Sequence, residues 1–134
     1  MNLYRNRSVI IALTALLGST SAIAAGKDVM CATVEVTECI SGYECVETTS
    51  TSMAIPPFLR INFEQRSISG TRGNGEDLSA EILHLHRTDE GVLLQGVDQG
   101  LGWTMTLSEQ DGSMSLAISG DLVGYMIFGN CTSL

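Results

Sequence analysis

Four cysteines and two histidines are the residues of this chain whose type and spacing invite a chemical reading. Cys31, Cys39 and Cys45 crowd into the stretch CATVEVTECISGYEC, and Cys131 stands three residues before the last, in FGNC. Zinc sites take cysteines in pairs about two to four residues apart, and thioredoxin-like redox sites use C-x-x-C. The pattern here is C-x7-C-x5-C followed by a long jump, which fits neither. An even number of cysteines in an exported chain points to disulfides. Spacing alone leaves three connectivities open, but Cys39 and Cys45 are equidistant from Gly42. A hairpin folding at Gly42 sets them opposite one another, within reach of a cross-strand bridge. Cys31 is then left to join Cys131.

His84 and His86 share a face if they lie on a strand, because side chains alternate with a period of two. Two imidazoles are not a zinc site, which needs roughly three or four ligands, although Asp77 or Glu81 could lie nearby. No metal and no cofactor are therefore assigned. Serines are plentiful, but the G-x-S-x-G elbow of the hydrolases is missing. Glu76-Asp77 and Asp89-Glu90 sit in turn-like segments, without the apolar surroundings that raise a carboxyl pKa for acid catalysis. No catalytic residue is assigned, and the expectation is a protein that binds and does not catalyse.

Two sets of residues are candidates for binding. Trp103, Met105, Met114 and Tyr125 are the richest apolar group, of the kind that lines a ligand pocket. In a small barrel the same side chains fill the core. Arg72, Asn74, Glu76 and Asp77, in TRGNGED, and Glu109 and Asp111, in SEQDGS, belong to exposed glycine-containing loops suited to recognition. They are expected to meet a partner together, at one end of the fold.

The elements that must position these residues are short strands. CATVEVTEC alternates, with Ala32, Val34 and Val36 expected on one face. CVETTST begins a second strand, and Pro56-Pro57, lacking backbone donors, marks an extended crossing or an edge. FLRINFE points Leu59, Ile61 and Phe63 one way. After the TRGNGED loop, LSAEILHLHR reads as one strand, with His84 and His86 outward. VLLQGV, LGWTMTL, MSLAIS and LVGYMIFGNC follow, separated by the turns DQG, SEQDGS and Gly120-Asp121. The last strand is apolar on both faces, so its outer side is expected to be covered by the N-terminal segment or to meet a partner. Eight or nine sequentially joined strands predict an all-β, up-and-down antiparallel barrel, with a two-sheet sandwich as the alternative.

The N-terminus reads as an export leader: Arg5 and Arg7, the apolar run VIIALTALLG, then Ala22-Ile23-Ala24 as an A-x-A exit. Cleavage after Ala24 leaves a single domain, residues 25–134, in the periplasm or outside the cell. The chain has 7 Lys and Arg against 15 Asp and Glu. The leader takes Arg5 and Arg7 from the basic side and nothing from the acidic one, so the mature part carries a net −10. Such a balance disfavours nucleic acid and anionic membranes and suits a basic protein partner.

The C-x7-C-x5-C pattern together with FGNC resembles small exported disulfide-containing proteins of Gram-negative bacteria, a likeness that implies export and bridges and no activity. At the level of the fold, the meander is similar to calycin-type barrels, which include lipocalins and small bacterial inhibitors of lysozyme and metalloproteases. The first functional expectation is a periplasmic protein-interaction module, inhibitor-like or accessory to the envelope. The second is a carrier holding a small apolar ligand inside the barrel.

Overall fold

The computed structural model describes residues 27–134; the leader and its cleavage point lie outside the described residues. The strands are β1 (Val29–Ile40), β2 (Val46–Thr48), β3 (Phe58–Asn62), β4 (Ser67–Thr71), β5 (Asp77–Glu81), β6 (His84–Arg87), β7 (Gly91–Asp98), β8 (Leu101–Ser108), β9 (Ser113–Ser119) and β10 (Val123–Ser133). All are antiparallel to their neighbours in one sheet, ordered β5-β4-β3-β1-β10-β9-β8-β7-β6, with β2 added to the upper part of β1. The sheet curls into an all-β half-barrel. One continuous sheet replaces the two of a sandwich.

Pairing of the long first and last strands joins the two arms of the meander into one curled sheet. β1 and β10 are in register from Val29↔Ser133 to Ile40↔Val123, with one irregularity between Thr33 and Glu35. Val34 is the extra residue of a β-bulge, and a bulge reverses the alternation of everything beyond it. The expected grouping of Ala32, Val34 and Val36 is therefore corrected. Cys31 and Val36 are both buried, five residues apart, and Val34 is 65% exposed.

The segment read as a single strand LSAEILHLHR is two. Ile82 N donates to Arg66 O, continuing the β4 pairing, and Leu83 N donates to Gln95 O, beginning the β7 pairing. The partner changes between consecutive residues, so the chain turns a corner at Ile82, which is 1% exposed. This corner joins the two ends of the strand order through the backbone.

Both disulfides pair as expected, Cys31 with Cys131 and Cys39 with Cys45. Cys31 and Cys131 face each other in the ladder. The β1–β2 register of Val36↔Thr48 and Glu38↔Val46 centres its turn on Gly42, whose φ of 84° a side chain would resist.

The antiparallel ladder divides the loops between two ends. At one end are the Cys39–Cys45 turn and the β4–β5, β7–β8 and β9–β10 turns; at the other are the β3–β4, β6–β7 and β8–β9 turns and the start of β1. Val29, Ile61 and Ile82 pack the second end and Leu94, Met105 and Ile127 the middle of the fold, each at most 1% exposed. The first end is where the wall is incomplete. β3 pairs with β1 only over Val29–Ala32, so above that level nothing joins β1 and β2 to β4 by a ladder. Residues 49–57 cross the gap as a strap.

Candidate cavity beneath the strap

Under the strap, at the end holding the Cys39–Cys45 turn, lies a cavity of about 200 Å³. Its walls come from three directions. The strap supplies Met53, Ala54, Ile55 and Pro56; β3, β4 and β5 supply Leu59, Ile68, Leu78 and Ala80; and β8, β9 and β10 supply Leu101, Trp103, Met105, Leu116, Ile118 and Tyr125. Arg72 and Asp98 bring charge to the otherwise apolar lining.

Local chemistry explains how the strap holds its shape. Thr49 caps a single helical turn, its Oγ1 accepting from Ser52 N. The turn ends in paired bonds from Ile55 N to Ser50 O and from Ala54 N to Thr51 O, the Schellman arrangement that requires a left-handed residue at its exit. That residue is Ala54, at φ 54°, where glycine is usual. Two anchors tie the strap down: Arg72 Nε donates to Ala54 O at 2.9 Å, and Thr33 Oγ1 donates to Pro56 O at 3.1 Å. The two prolines interrupt pairing, and their carbonyls become the strap's fastening to β1.

Two polar groups of the lining stand out. The indole Nε1–H of Trp103 is buried with no hydrogen-bond acceptor among the described residues, a costly arrangement for a buried donor. Tyr125 lies opposite Glu38. Burial, helped by the nearby Glu38 charge, pushes its phenol above the usual tyrosine value.

Of the four residues expected to line a pocket, Trp103, Met105 and Tyr125 do so. Met114 is a correction: it is 3% exposed and packs over Gly129 nearer the opposite end, away from the cavity. Strand parity put Met114 on the inner face, but its height along the barrel depended on the β9–β10 register. The sequence marks Pro56-Pro57 as a crossing, but that Met53 to Pro56 line a cavity is not legible in it, because a segment without periodicity gives no sign of which way it faces.

The two expected partner loops do not come together. Arg72, Asn74, Glu76 and Asp77 belong to the β4–β5 turn at the cavity end, and Glu109 and Asp111 to the β8–β9 turn at the other. Each is locally satisfied. Asn74 bonds Glu76, Thr71 bonds Asp77, and Arg87 reaches Glu109 at 2.8 Å. The backbone N–H of Ser113, followed by the hydroxyls of Ser108 and Ser113, lowers the Asp111 pKa to about 2. His84 and His86 are exposed on the outer side of β6, with Leu85 between them packed against the core. They lie across the sheet from the cavity. Among the described residues, no group of three His, Cys, Asp or Glu side chains is placed to share a metal ion. On β10, Met126 and Phe128 are 37% and 44% exposed among the described residues.

Comparison with protein-family models, curated proteins and solved structures gave no match.

Proposed function

We propose that this chain is a non-enzymatic binding domain of an oxidising compartment outside the cytoplasm, and that it holds a small apolar ligand beneath the strap. The observation that carries this reading is the cavity, with its apolar walls and, among its lining residues, Trp103, whose buried indole N–H is unpartnered among the described residues. An engineered apolar cavity of ~150 Å³ takes up benzene. About 200 Å³ therefore suits one ring with a short substituent, or a short alkyl chain. A single acceptor oxygen on the ligand would pair the Trp103 donor, which favours an alcohol, ketone or ester over a plain hydrocarbon. Both disulfides support export, since such bonds persist outside reducing cytoplasm.

Trp103 is the single tryptophan of the chain, so its emission reports on the cavity directly. Titration of the disulfide-intact protein with short aromatic ketones and medium-chain alcohols should shift that emission saturably. Ala80→Phe, which fills the space from β5, should abolish the shift. Native mass spectrometry of protein purified from its own host should show a small apolar adduct. No adduct, together with emission indifferent to every probe at millimolar concentration, would rule the reading out.

A further inference from the structure

We propose a second binding surface, independent of the cavity: the disulfide-stapled tip between β1 and β2, joined to the β9–β10 turn, docks into an apolar depression rimmed by basic residues on another protein. The tip exposes large apolar side chains in an arrangement the fold does not need for itself. Tyr43 is 79% exposed, Leu122 69%, Val46 52% and Ile40 43%. They form one surface, because Ser41 N donates to Leu122 O at 2.8 Å and ties the two turns together. Tyr43 N donates to Ile40 O, and the Cys39–Cys45 bridge closes the loop beneath them. A tip held this way loses little conformational freedom on binding, and a rigid tyrosine gives large contact area for few rotatable bonds.

Charge selects the partner. Glu44, Glu47 and Asp121 surround the apolar residues and are exposed. No Lys or Arg occurs between Lys27 and Arg60 or after Arg87, so neither strand region feeding the tip carries a compensating cation. Arg72, at the same end of the barrel, is engaged by Ala54 O and lies 3.8 Å from Glu76. The other basic residues of the described chain, Lys27, Arg60, Arg66 and Arg87, sit toward the opposite end. An acidic surround repels anionic lipid and a second copy of the same acidic tip, and it steers a basic protein surface toward the apolar contact.

The test places a photo-crosslinking amino acid at position 43 of the full chain in its own host, with position 110 in the β8–β9 turn as control. The expected result is an adduct from position 43, absent from position 110, containing a protein that mass spectrometry identifies as basic. That protein, once purified, should bind the wild-type chain and lose at least tenfold in affinity to Tyr43→Ser combined with Leu122→Ser. Binding should also weaken severalfold between about 0.05 and 0.3 M salt. Since both side chains are exposed, the double variant should unfold at the wild-type temperature, which separates lost contact from lost fold. Adducts equal at the two positions, or an adduct with lipid, an acidic protein or a second copy, would overturn the proposal. So would undiminished binding by the double variant, or no adduct at either position.

Discussion

Trp103 stands directly across from Gly96 in the β7–β8 ladder, and the indole lies where a Cβ on Gly96 would have to go. The glycine is thus a seat for the ring, and the ring in turn forms a wall of the cavity. Gly96→Ala should cost about 1–3 kcal/mol by overpacking, with a shifted Trp103 emission maximum, as read by urea unfolding followed through fluorescence. An unchanged midpoint would mean the indole has room to move aside. Asp111 offers a prediction in pH. Its folded-state pKa of about 2 lies below the ordinary 3.8, so its hydrogen bonds stabilise the fold above the ordinary value. That contribution is lost as pH falls from about 4 through 2. Asp111→Asn should flatten this part of the acid profile of stability, and an NMR titration should find the Asp111 carboxyl titrating well below the ordinary 3.8.

The strap is the element whose strength decides access to the cavity. It has no ladder of its own and depends on Thr33, on Arg72 and on a left-handed Ala54. Arg72→Met keeps much of the side-chain bulk and removes the bond to Ala54 O. A hydrogen bond from a charged donor is worth roughly 1.5–3 kcal/mol. The amides of Met53 and Ile55, which bond Thr49 and Ser50 within the strap, should then exchange with solvent at least tenfold faster. The amides of β8 and β9 should keep their protection. If all exchange together, the strap is part of the global unit and does not open separately.

For the whole molecule, the two disulfides are unequal. Cys31–Cys131 spans 100 residues and Cys39–Cys45 spans 6. In the chain-entropy picture these loop lengths are worth ~4–5 and ~2 kcal/mol respectively. Replacing Cys31 and Cys131 by serine should lower the denaturation midpoint well below that of the Cys39 and Cys45 pair variant, measured in urea without reductant. Equal losses would show that loop length does not set what these two bridges contribute. The larger bridge belongs to the fold; the smaller one staples the tip that exposes Tyr43.

Alternation, turn residues and cysteine spacing are local properties, and from them the sequence by itself determined an all-strand chain, the hairpin about Gly42 and the partners of both bridges. Leu59, Ile61 and Phe63, and the inner-face residues of β8 and β9, were legible for the same reason: a period of two assigns faces without knowing neighbours. Tertiary structure alone decided the rest. The extra residue at Val34 is visible only against Gly129 and Phe128 across the ladder, and the corner at Ile82 exists because the acceptors change from Arg66, just before β4, to Gln95, on β7. How high Met114 sits in the barrel, which end each loop occupies, and the gap that the strap bridges depend on the relative lengths and offsets of strands far apart in the chain. Periodicity carries no record of those offsets, and the cavity is their product.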